Sequence, residues 1–154
     1  MHQVVCGRNR KNIKLIESAT NTAIYFPPPF SPSYRYCPPN AQRRDHQQIY
    51  ITGENSHGIE QAKYRLHDNL IRCRLFVKDV QISAAKIDSI LLSRMDKVRK
   101  ICEMNGTYIM FPPLGTRRET IRVQGLENLH VERTARELMT LVSWDVVLSR
   151  LYNC

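Results

Sequence analysis

One apolar pattern occurs twice along the chain. Thr22-Ala23-Ile24-Tyr25-Phe26-Pro27-Pro28 returns 85 positions later as Thr107-Tyr108-Ile109-Met110-Phe111-Pro112-Pro113. The two copies differ only at alternate positions, as a strand with one buried and one open face allows. Under the same shift Ile13 and Ile16 land on Val98 and Ile101, the i, i+3 apolar pair of a helix leading into each strand. Asn21 lands on Gly106, a left-handed helix stop in both copies. Downstream, Ile49-Tyr50-Ile51-Thr52-Gly53 answers Ile121-Arg122-Val123-Gln124-Gly125 at a spacing of 72. The difference falls in one loop, long between Pro27 and Gln47 and short between Pro113 and Thr120. Helices then begin at Ile59 and Val131, with Leu66 and Leu138 again 72 apart. The repeated unit is helix, strand, loop of free length, strand ending in glycine, long helix.

The repeat divides the 154 residues into units at 1–72 and 73–154, each near the lower size for independent folding. The helix over 56–72 runs into Leu75-Phe76-Val77-Lys78-Asp79-Val80-Gln81-Ile82, a strand-like segment, with no Gly/Ser spacer. The two units are therefore expected to pack on each other. Copy two has this strand and a helix at about 84–92 ahead of the repeated part; copy one starts almost at once. Copy one reads as lacking its first strand, as if cut from a longer chain.

Charge adds a partner class. The 23 basic and 14 acidic residues give +9, and both units are positive, which favours a polyanion. Five cysteines without a C-x-x-C pair read as reduced thiols rather than a disulfide framework or zinc site. An intracellular and more cytoplasmic than nuclear setting is expected, with no apolar run of membrane length. No histidine stands in a Cys/His or Ser/His/Asp arrangement, and no glycine loop of the Walker type occurs. Neither an enzyme, a metal site nor a cofactor is implied. Trp144, at helical spacing from Leu141 and Leu148, reads as a packing or interface residue.

Gly7-Arg8-Asn9-Arg10, the helix beginning Lys11-Asn12-Ile13-Lys14-Leu15-Ile16, and Thr20-Asn21-Thr22-Ala23-Ile24-Tyr25-Phe26 resemble the G-x-x-G turn, I-x-x-I helix and second strand of a type I K-homology (KH) domain. The resemblance covers essentially the whole chain and is most similar to multi-KH RNA-binding proteins of the Bicaudal-C and vigilin kind. It implies an α+β fold of two tandem KH-like domains, each a three-stranded antiparallel sheet covered by helices on one face. It also implies single-stranded RNA, or DNA, in a groove between the two short helices, the second strand and the variable loop. Gly7, Arg8, Asn9, Arg10, Lys11 and Lys14 would hold phosphate at the turn and helix start. Ile13, Ile16, Ile24 and Phe26 would form the apolar floor beneath the bases.

The pattern is imperfect. Arg10 stands where the last glycine belongs; it either crowds the backbone approach or holds phosphate itself. Copy two has Leu92-Ser93-Arg94-Met95 at the turn, which either packs against something or continues one helix from Ala84 to Met104. Copy two is expected to brace copy one or to bind protein. In the long loop Tyr34, Arg35, Arg43 and Arg44 could extend an RNA groove, and the same proline-rich stretch could equally be a stiff surface loop or a protein ligand. A missing first strand would leave residues 48–52 as an open sheet edge, which something should cover. Two functions follow: a single-stranded RNA-binding module in mRNA regulation, or a protein-interaction and oligomerisation scaffold whose KH folds no longer bind nucleic acid.

Overall fold

A computed structural model describes the backbone of residues 2–26 and 48–152, and side chains within 3–26 and 48–143. In the first unit α1 (His2–Cys6), a single 3-10 turn (Arg8–Arg10) and α2 (Lys11–Thr20) precede β1 (Thr22–Tyr25), β2 (Tyr50–Gly53) and α3 (Ser56–Arg72). The second unit runs β3 (Phe76–Gln81), α4 (Ala84–Ser93), α5 (Met95–Asn105), β4 (Thr107–Met110), β5 (Thr120–Gly125) and α6 (Asn128–Tyr152). The long helices start three residues before Ile59 and Val131. In the first unit Asn55 sets that start, its side chain accepting a 2.9 Å bond from the His57 amide.

β1 pairs antiparallel with β2, Ile24 opposite Ile51. In the second unit the order is β3-β5-β4, all antiparallel, with Val80 opposite Ile121 and Ile109 opposite Val123. Among the described residues no strand pairs with the outer edge of β2, the edge that corresponds to the one β3 takes on β5.

Each unit buries the repeated apolar positions. Ile13, Ile16, Ile24, Phe26, Ala62 and Leu66 form one core with Val5 and Cys6. Val98, Cys102, Ile109, Ile121, Val123, Val131 and Leu138 anchor the other. The correspondence slips by one position in the second helix: Cys102 is buried while Ile101 is half-exposed. That makes the buried pair i, i+4 in copy two and i, i+3 in copy one; both spacings stay on one helix face. A continuous helix from Ala84 to Met104 is corrected. Arg94, at φ −126° and ψ 14°, breaks the helix, and Leu92 beside it is 73% exposed instead of packed.

The units dock through the turn. The end of α5 packs on the 3-10 turn and α1 packs on β4. Gly106 closes α5 at φ 63°, and a β-carbon there would lie 2.4 Å from the Arg8 nitrogen and 2.5 Å from the Gly7 carbonyl carbon. Only a residue without a side chain allows this approach. Asn21, the matching left-handed cap in copy one at φ 49°, is exposed and needs no such room.

Candidate nucleic-acid interface

Gly7 (φ 72°), Asn9 (φ 52°) and Arg10 (φ 60°) give the first unit's turn three left-handed residues. The second unit's turn has none: the left-handed residues there are Gly106 and Gly115, outside Leu92-Ser93-Arg94-Met95. The two turns thus differ in backbone as well as side chains. An arginine in the left-handed region carries a strain of about 1 kcal/mol or more, and surrounding contacts must hold it there.

Those contacts are visible. The Arg10 guanidinium donates through Nη2 to the Ile24 carbonyl at 3.0 Å. The Ile24 amide donates to Glu17 Oε2 at 3.1 Å. In an antiparallel pair a residue directs both its polar groups toward the partner strand or both away. Ile24 turns both away from β2, onto the free edge of β1, and side chains from the turn and from α2 take them. Arg10 is half-buried by this reach across the cleft.

The turn offers phosphate less than its resemblance implies. The Gly7 amide donates to Gln3 O and Val4 O at 3.2 and 3.3 Å, and the Arg10 amide to Gly7 O at 3.1 Å. The Lys11 amide donates to Arg8 O. The Arg8 nitrogen lies against Gly106.

The apolar floor is corrected too. Ile13, Ile16, Ile24 and Phe26 are 0 to 5% exposed, enclosed in the first core, and present no surface to a base. The cations, by contrast, face outward together. Arg8, Asn9, Lys11, Lys14, Leu15 and Ser18 line one open depression along the outer face of α2. Leu15, 61% exposed, is its apolar centre. Neither Leu15 nor Ser18 stood among the expected binding residues. The signal was an apolar residue on the polar side of the Ile13/Ile16 helix. Tyr34, Arg35, Arg43 and Arg44 lie outside the described residues.

In the second unit the basic residues on and before α5 are partly engaged. Arg99 pairs with Asp96 at 3.7 Å, and Arg94 has interactions of its own. On its sheet Arg122 holds Asp79 at 2.8 Å and pulls that carboxyl below its ordinary range. Two thiols are shut away from chemistry. Burial pushes Cys6 up to about 11, against the nearby Arg10 charge and with Glu17 and Glu103 adding to it. Burial likewise raises Cys102 to about 12, although the Ile109 backbone bonds the sulfur and lowers it in part. Among the described residues no group of three or more His, Cys, Asp or Glu side chains could hold a metal ion, and no helix is long and apolar enough to cross a membrane.

Comparison with known proteins agrees with this architecture. Residues 1–72 match the family model of the KHD4 second KH domain, and residues 77–144 match that of the Mug60/KHD4 KH type I domain. K homology domain-containing protein 4 of Mycosarcoma maydis is 33% identical over 158 residues, which take in 97% of this chain and 11% of that relative. The chain thus spans about a tenth of the curated relative it matches. With two antiparallel sheets, the repeated helix–turn–helix before β1 and β4 and two matching domain models, the chain is a tandem of KH domains and belongs to the KH family.

Proposed function

We propose that the chain is a single-stranded RNA-binding module of a larger multi-KH protein acting in mRNA regulation. KH domains generally bind single-stranded nucleic acid, and this chain carries +9. The observation that carries the reading is the depression where Arg8, Lys11 and Lys14 surround exposed Leu15. Three cations along the turn and the outer face of α2 track a phosphate backbone, and an apolar spot among them gives a base something to rest on. The first unit makes the main contact. The second holds the turn in place through Gly106 and braces α1 through β4.

Arg8→Asp with Lys11→Asp tests this by fluorescence anisotropy on a random-sequence RNA pool. Binding should be lost while the thermal melt stays that of the parent chain. Retained affinity would overturn the reading.

The outer edge of β2, which no described strand pairs, favours a second reading, a protein-interaction scaffold joined by strand addition. That reading requires no RNA retention at moderate salt and a mass in light scattering that rises with concentration.

A further inference from the structure

Within this RNA-binding reading, on which the inference rests, we propose that the first unit's groove is closed to bases by its own side chains. Arg10 and Glu17 occupy the hydrogen-bonding positions on the free edge of β1 that a nucleobase would need. The module is then a sequence-blind phosphate binder on the outer face of α2, not a base reader.

Ile24 directs one amide and one carbonyl into the cleft between α2 and β1, and both are already bonded, to Glu17 Oε2 and Arg10 Nη2. A neighbouring acceptor and donor, a carboxylate oxygen and a guanidinium N–H, reproduce the adjacent acceptor and donor that a nucleobase carries on its Watson–Crick edge. The protein thus carries an internal imitation of a base against this strand. Glu17 also places a negative charge on the wall of the cleft, where an entering phosphate chain would meet it.

The internal repeat separates what the fold requires from what is peculiar to this unit. A shift of 85 carries Ile24 to Ile109, Glu17 to Cys102 and Arg10 to Met95. In the second unit the Cys102 sulfur also takes a bond from the Ile109 backbone, so a side-chain partner for that amide belongs to the fold. Met95 has no hydrogen-bond donor on its side chain and packs against the apolar core. A cap from this position of the turn therefore belongs to the first unit, where Arg10 also holds a left-handed backbone that glycine would adopt without strain. Residue 10 is the latch.

The test compares Arg10→Gly, Arg10→Gln and the parent chain on two short RNAs, one of alternating A and C and one of alternating G and U. Arg10→Gly removes the latch and the strain; Arg10→Gln removes the charge while keeping a long donor side chain. The parent chain and Arg10→Gln should bind both RNAs with similar affinity. Arg10→Gly should bind one of the two strands about tenfold more tightly than the parent does and prefer it to the other, despite losing a positive charge. Equal or weaker binding of Arg10→Gly without that preference, from a variant whose melt is intact, would overturn the inference and leave the phosphate reading standing. A parent chain that binds neither RNA while Arg10→Gly binds one of them would support the latch and sink the reading of the parent as an RNA binder. Gain of affinity for an extended peptide instead of RNA would also overturn it, as the mark of a strand-addition edge.

Discussion

Gly106 lies so close to Arg8 that a β-carbon on it would stand 2.4 Å from the Arg8 nitrogen. The turn by which KH domains hold a nucleic-acid backbone is here also the joint between two domains. This relationship separates two demands on a glycine that usually coincide. Asn21 shows that asparagine satisfies the left-handed cap in the same fold, so Gly106→Asn keeps the cap and removes only the room. Overpacking of this kind costs about 1–3 kcal/mol. Gly106→Asn should lower stability by that order and speed amide exchange in α1, while Asn21→Gly should change either by little; hydrogen exchange with mass detection reads both. Equal effects of the two substitutions would show that Gly106 is only a helix cap.

Binding should depend on salt in a way set by few cations. With Arg8, Lys11 and Lys14 as the phosphate contacts, the plot of log affinity against log salt should slope at about −2 for a single strand. Lys14→Ala should reduce the slope by less than one unit and weaken all RNA sequences alike. A slope near zero, measured by titration across a salt series, would remove these residues from the interface.

Alkaline pH should loosen the protein through its buried thiols. Cys6 and Cys102 are raised from 9.0 to about 11 and about 12 in the folded chain. Between about pH 9 and 11 the unfolded chain has lost these protons while the folded chain retains them, so fewer protons are bound on unfolding and stability falls as pH rises. Each thiol contributes a slope of about 1.4 kcal/mol per pH unit in that window. Urea melts from pH 8 to 10.5 should show the decline, and Cys6→Ala should make it shallower by about one proton. Of the described cysteines, half-exposed Cys73 should react with a thiol reagent while Cys6 and Cys102 stay protected until unfolding.

A buried hydroxyl pair ties β4 to α6. Thr107 Oγ1 and Thr134 Oγ1 lie 2.7 Å apart with both residues 0% exposed. Thr134→Val strands the Thr107 hydroxyl and should cost about 1–3 kcal/mol. Adding Thr107→Val should restore much of that loss, a non-additivity that denaturant melts of the double-mutant cycle measure. Additive losses would mean the hydroxyls do not depend on each other.

Much of the fold was legible in the letters. The i, i+3 pair Ile13/Ile16, the strand Thr22–Tyr25 and the spacing of Leu66 and Leu138 all describe surfaces that must face a core, and cores impose periodicity. The break at Arg94 was not legible, because Met95 and Leu92 keep helical spacing through it. At the site, the outward face of Arg8, Lys11 and Lys14 was readable as charge on the polar side of a helix. The assignment of Ile13, Ile16, Ile24 and Phe26 as a floor failed because periodicity marks an apolar face without showing whether that face is covered.

The sequence by itself determined two copies of one unit of helices and strands and the basic character of both, since these depend on residue type and local spacing. The tertiary structure alone decided what the first turn does. Arg10 reaches Ile24 across 14 positions, and Gly106 meets Arg8 from the other domain. Contacts between residues so far apart leave no local pattern behind; the first exists only once the turn has folded onto its own strand, and the second only once the two copies pack together.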